Sequence, residues 1–233
     1  MSNSINWEQN FKEHEKLLED WKKSCGDSFV KDGVVNNEEY KKSNPKILIV
    51  LKEVNDPEGG GWDLRKDFLS KGAPRYGFAW NNVTRWINGI NYLINYKKIP
   101  LYYKENFEES YNEEYRKFFL NKIAVMNLKK TPGKSSSNIE EIERFAESNS
   151  DFLKRQFELI NPDIVICGGT GEIFKKIIGL KDEDWERSIR GEYYLKTSDN
   201  KLILHHYHPG ARIASNLLLY SILDTIYEVY YPI

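Results

Sequence analysis

Cysteine is scarce in this chain: Cys25 and Cys167 are the only two in 233 residues. Two thiols exclude a four-thiolate iron–sulfur cluster within one chain, and they give no closely spaced pair of zinc ligands. Cys167 closes an apolar run, which is the setting of a reduced core thiol. Long hydrophobic runs are missing as well. No segment approaches the length of a membrane span, and the polar N-terminus has no apolar stretch of the kind a secretory signal needs. The expectation is a cytoplasmic protein with no membrane partner. An excess of charge of one sign is also absent, the formal net charge being -1. Bulk electrostatics therefore do not announce nucleic-acid binding, and any such site has to be a local basic patch on a neutral body. There is no internal repeat and no low-complexity tract.

What is present is a chain built to bury a core. Hydrophobic residues make up 40% and aromatics 14%, which argues against disorder. The length suits a single domain over residues 1–233. Trp7 to Trp21 reads as a helix, with Trp7, Phe11, Leu17, Leu18 and Trp21 near one face. A turn-rich stretch from Gly26 to Asn44 follows. Four apolar runs then read as strands: Lys46–Leu51, Ile123–Asn127, Asp163–Cys167 and Leu202–His205. Continuous apolar runs bounded by turn residues suit strands covered on both faces, as in parallel sheets. Helical stretches separate them. The clearest runs from Ile139 to Ile160, opened by Asn138 with Glu141 as a capping box. Another follows Gly168–Gly171, and the last spans Ile213 to Val229. Tyr193–Lys196 and Lys201–Leu204 flank Ser198–Asn200 as a hairpin. Lys97–Asn121 reads as a polar, aromatic excursion. The expected fold class is three-layer α/β/α around a central, mostly parallel, four-stranded sheet.

Ligands of open α/β sheets bind beyond the carboxyl ends of the strands, so the residues after each strand are the candidates. After the first come Glu53, Asn55 and Asp56, then Gly59–Gly61. A carboxylate here is placed to orient a water, although Asn and Asp in a turn also bond their own backbone. The second strand ends on Asn127, whose amide offers donor and acceptor to a base edge. Lys129, Lys130 and Lys134 follow and are either phosphate contacts or a solvated cluster. After the third, Gly168–Gly171 enters a helix; it either cradles an anion or allows close packing, and it lacks both the dinucleotide fingerprint and the P-loop Lys-Ser/Thr. After the fourth comes His205-His-Tyr-His-Pro-Gly-Ala-Arg212. Only His206 and His208 share a strand face. With no Asp or Glu adjacent in sequence, a metal site is disfavoured. The other reading is a His-Pro turn that sets an imidazole and Arg212 over a pocket.

Taken in order, Lys52-Glu-Val-Asn-Asp-Pro57, Met126-Asn-Leu-Lys-Lys-Thr-Pro-Gly133, Asn161-Pro-Asp-Ile-Val-Ile-Cys-Gly-Gly-Thr-Gly171 and Tyr207-His-Pro-Gly-Ala-Arg212 resemble the motifs of the uracil-DNA glycosylase superfamily. The likeness spans Lys46 to Arg212 and lies in the ordered combination. It departs from the family pattern at Lys52, where a Gly is usual, at the displaced Pro57, and at Gly210 in place of Ser. The cluster cysteines of the iron–sulfur branch are absent. The resemblance implies a base glycosylase for DNA repair that flips a uracil or other modified base out of the helix, or a non-catalytic nucleic-acid-binding module on the same fold. It implies that Asn127 reads the base edge and that His208 stabilises charge on the base. Glu53, if aligned from the strand end, or Asp56, if aligned on Asp-Pro, positions water. Phe78 and Trp80, in Arg75-Tyr-Gly-Phe-Ala-Trp80, are the stacking candidates, and Lys129, Lys130 and Arg212 the backbone contacts. No cofactor or metal is expected, and the protein is expected to be a monomer with DNA as its partner.

Overall fold

The computed structural model describes residues 6–56, 59–72, 78–134 and 136–232. Pro57 and the Arg75–Gly77 part of the aromatic segment lie outside them. In chain order the elements are α1 (Trp7–Cys25), β1 (Gly33–Val34), α2 (Asn37–Lys42), β2 (Ile47–Leu51), α3 (Leu64–Lys71) and α4 (Phe78–Tyr96). A 3₁₀ turn (Phe107–Tyr111) leads to α5 (Glu113–Leu120), β3 (Ala124–Asn127), α6 (Ile139–Ser148), α7 (Ser150–Ile160), β4 (Ile164–Gly168) and α8 (Gly171–Ile177). The chain closes with β5 (Glu186–Arg187), β6 (Tyr193–Lys196), β7 (Leu202–His206) and α9 (Ser215–Tyr230).

The mixed α/β class read from the sequence holds, but the sheet has seven strands among the described residues, not four, in the order β1-β3-β2-β4-β7-β6-β5. The four expected strands form its centre, β3-β2-β4-β7, all parallel. Antiparallel β1 adds to one side, and the antiparallel β6 and β5 to the other. The two-residue strands β1 and β5 are too short to carry an alternation signal, which is why they escaped the sequence reading.

Strand side chains alternate between two apolar layers. Ile47, Ile49, Leu51, Ile164, Ile166 and Leu204 face the layer that holds α4 and α9. Leu48, Val50, Val165, Cys167 and Ile203 face the layer that holds α1, α7 and α8. Burial on both faces explains the unbroken apolar runs. Cys167 is a free, fully buried thiol, and burial pushes its pKa up.

The helix expected over Ile139–Ile160 is two helices. Asn149 interrupts it: its Nδ2 turns back to the Phe145 carbonyl at 2.9 Å, while its Oδ1 accepts from Trp21 Nε1 at 2.8 Å. An Asn side chain that competes for backbone groups inside a helix breaks the ladder. Half of the capping box expected at Asn138 forms: its Oδ1 accepts from the Glu140 and Glu141 amides, while the Glu141 carboxylate pairs with Lys129 at 2.8 Å. The excursion at 97–121 is not irregular throughout, since α5 packs onto α3 and α4.

Candidate functional site

The parallel register brings the carboxyl ends of the strands to one edge: Leu51 pairs with Asn127, and Gly168 with His206. Pairing continues past the strands. Leu128 and Lys129 donate to the carbonyls of Leu51 and Lys52, Gly133 donates to Val54, and Asp56 donates back to Gly133. The two loops that follow β2 and β3 are thus zipped into one wall. Opposite them lies a cleft of about 500 Å³, lined by Glu53, Asn55, Asp56, Trp62, Trp80, Asn127 and His208 among others. Six of the residues singled out from sequence therefore meet in one place. Phe78 does not: it is exposed at the start of α4 and is not in the cleft wall. Trp80 is in the wall, set edge-on to Phe68 with ring centroids 4.6 Å apart.

The carboxylates are already engaged. Glu53 Oε2 accepts from Lys129 Nζ at 2.7 Å. Asp56 Oδ2 accepts from Gly60 N at 3.0 Å and from Trp62 Nε1 at 2.7 Å. Trp62 was not among the sequence candidates, yet it is a wall residue that also fixes Asp56.

Lys129 and Lys130 correct the sequence reading, because neither is presented to a backbone phosphate. Lys129 is buried between Glu53 and Glu141. Burial disfavours its charge, but the two carboxylates outweigh that and hold the ammonium above its ordinary value. Lys130 is buried completely and bonds both oxygens of Asp32, at 2.6 and 2.8 Å, and Gln156 Oε1 at 2.8 Å. Burial pushes its pKa down, against the pull of Asp32. A Lys-Lys pair after a strand reads as solvated from sequence alone, but here the chain turns both side chains inward. Arg212 is exposed, as a surface contact requires.

Asp32 is the residue the sequence reading missed. It lies in the turn-rich stretch before β1 and is fully buried. Its Oδ2 accepts the backbone N–H of Asn127 at 2.7 Å and the Asn127 Nδ2 at 3.3 Å, while its Oδ1 accepts from Gln156 Nε2 at 2.8 Å. A single buried carboxylate thus anchors the amide at the end of β3.

His208 sits in a turn that is fixed from both sides. Its Nδ1 lies 3.0 Å from the Gly210 amide nitrogen. A backbone N–H can only donate, so Nδ1 is the acceptor and the ring proton resides on Nε2. The ring is reachable from solvent, yet the protein atoms packed round it lower its pKa, and the Lys52 charge lowers it further. His208 is therefore a neutral imidazole with an Nε2–H donor. The carbonyl of Pro209 accepts from buried Asn82 Nδ2 at 2.7 Å, and Asn82 Oδ1 accepts from Arg85 Nη1 at 2.8 Å. Arg85 also reaches the Phe107 carbonyl at 3.2 Å and Ser215 Oγ at 3.4 Å. Asn82 and Arg85 lie on α4 and are not among the sequence candidates. Two polar residues three apart on an otherwise apolar stripe were the available signal.

The glycine-rich turn serves packing. A Cβ on Gly168 would meet Leu51 and Pro209 at 2.8 and 3.0 Å, and one on Gly171 would meet the His205 ring at 2.7 Å. Gly169, at φ +69°, gives its N–H to the His206 carbonyl at 2.8 Å. The expectation that no carboxylate stands near the histidines fails in space. Glu192 lies 3.1 Å from His206 Nδ1 and Glu172 3.8 Å from His205 Nδ1. These are pairs; among the described residues no group of three or more His, Cys, Asp or Glu is arranged to hold a metal ion. Among the same residues no helix is long and apolar enough to cross a membrane.

A search of protein-family models and of curated proteins finds no match for the chain.

Proposed function

We propose that the cleft takes a nucleobase swung out of DNA and releases it by hydrolysis of its N-glycosidic bond, in the manner the resemblance to the uracil-DNA glycosylase superfamily implies. The observation that carries this reading is the meeting of Glu53, Asp56, Asn127 and His208 on one cleft, at the ends of three different strands. The parallel sheet brings these strand ends to one edge, and what supports the reading is that polar side chains of these types stand together there on a cleft rather than an apolar set that would fill it. Each has a role that suits its chemistry. Asn127 supplies a donor and an acceptor to the base edge. The neutral His208 donates from Nε2 to a base carbonyl as negative charge collects there when the bond breaks. Glu53 or Asp56 faces the positive sugar and orients the water that adds to it. Trp80, rather than Phe78, offers the aromatic wall. Arg212 and Lys134, both exposed, are the candidate cations left to meet a phosphate once Lys129 and Lys130 are taken up inside.

A second reading, a nucleic-acid-binding module without catalysis, is favoured by one specific observation. Glu53 is neutralised by Lys129, and Asp56 already accepts two hydrogen bonds. The experiment that separates the two is a base-release assay on oligonucleotides carrying uracil, hypoxanthine or xanthine, in single and double strands. Release that Glu53→Gln or Asp56→Asn abolishes is the expected result and identifies the water-positioning carboxylate. Binding with no release from any substrate would leave the module. Neither binding nor release would end both readings.

A further inference from the structure

An Asn amide is nearly symmetric in shape, so its oxygen and nitrogen exchange places at little steric cost. A base-reading Asn therefore needs something that fixes its order. Bases present two opposite edges. A lactam edge, as in uracil and hypoxanthine, sets a ring N–H beside a carbonyl. An amidine edge, as in cytosine and adenine, sets a bare ring nitrogen beside an amino group. For a base held in one orientation by the rest of the cleft, one order of the Asn amide complements the lactam and the flipped order complements the amidine.

At Asn127 the order is fixed from behind. Asp32 Oδ2 accepts both the backbone N–H and the Nδ2 of Asn127. A carboxylate has no proton to give, so a flipped Asn127 would set oxygen against oxygen in a dry interior. Asp32 cannot turn away, because Lys130 and Gln156 hold its other lone pairs and both are fully buried. Resting on the base-release reading above, we infer that Asp32 is the positioning residue that makes the cleft select lactam over amidine bases, by locking the Asn127 amide in one order.

The test uses the full chain and free uracil, hypoxanthine, cytosine and adenine as ligands in an NMR titration. Wild type is expected to prefer the lactam pair by roughly tenfold or more, the size of one mismatched bidentate edge. Asp32→Ala combined with Lys130→Met removes the lock without stranding a charge, and should bring the preference within about twofold. Asp32→Asn combined with Lys130→Met keeps an acceptor facing Asn127 and should restore the preference, which a merely structural role would not require. A folded Asp32→Ala/Lys130→Met protein that keeps the preference overturns the lock while sparing the base-binding reading. Wild type that binds none of the four bases removes that reading, and the inference with it. If the alanine pair does not fold, the wild type still decides. One Asn127 Nδ2 proton should exchange slowly, and exchange of both as fast as in an exposed Asn overturns the proposal.

Discussion

Two buried cations brace the cleft from opposite faces of the sheet, and they do so differently. Lys130, on the side of α1 and α7, is matched by a carboxylate, Asp32. Arg85, on the side of α4 and α9, has neutral partners among the described residues: Asn82, the Phe107 carbonyl, Ser215 and the face of Tyr111, 5.1 Å from its guanidinium carbon. The choice of cation fits each setting. An ammonium is a compact, strongly hydrated charge that a dry interior tolerates only beside an anion. A guanidinium spreads its charge over five donors and is satisfied by several oxygens and a ring face. Each cation works through one polar intermediary. Asp32 carries the constraint to Asn127, and Asn82 carries it to the carbonyl after His208. The site is thus held at two points, by a charged post and by a neutral one.

The sharpest way to break this comparison is at the charged post. Asp32→Ala alone leaves Lys130 buried without its anion, and should destabilise the fold by about 3–5 kcal/mol; the addition of Lys130→Met should recover most of that. Urea unfolding of both variants is the measurement. A single mutant no less stable than the double would mean that water reaches Lys130. Next in size, His208→Ala should leave stability nearly untouched and slow base release roughly a hundredfold, since it removes a donor that strengthens in the transition state. Equal rates in single-turnover assays would deprive His208 of its role. At the neutral post, Asn82→Ala leaves the Pro209 carbonyl unpaired and should destabilise by about 1–3 kcal/mol, less than the loss of Asp32. The order of the two, read from the same unfolding curves, tests whether charge compensation is what separates the posts.

Acid gives a gentler probe. The pKa of His208 is lowered in the folded chain, so the unfolded chain takes up the proton first. Its stabilising contribution is whole above the ordinary histidine value of about 6.5 and fades as pH falls below it. Protonation also costs Nδ1 its bond from Gly210. Base release should therefore hold level from pH 8 to 7 and decline on the acid side, in step with the His208 ring signal by NMR. The smallest effect belongs to Arg212→Gln, which should flatten the salt dependence of DNA binding by about one phosphate contact and leave the fold alone.

The sheet centre was legible because strands buried on both faces must be apolar throughout, and Ile47–Leu51 and Ile164–Cys167 are. The edge of the sheet was not, since Gly33–Val34 and Glu186–Arg187 pair through backbone groups that any residue supplies. The cleft could be anticipated because topology brings strand ends together, and Glu53, Asn127 and His208 all sit at such ends. Its supports could not. Asp32 meets Asn127 across 95 positions of chain, and nothing in a turn-rich stretch marks one acidic residue as buried. The two lysines misled for the same reason: whether a lysine after a strand points to water or to an anion depends on a partner far away in sequence.

One small feature decides how available a carboxylate is. The carboxyl group of Glu53 lies flat over Gly133, in the very volume that a Cβ at 133 would occupy. Hydrogen is the widest substituent compatible with that posture. The obstructing atoms belong to the free end of a flexible side chain, so an alanine there would leave the backbone in place and evict the carboxylate instead. Glu53 would then have to leave Lys129 or tilt into the cleft. Gly133 thus acts as a parking space for the acid, and one methyl group is enough to close it.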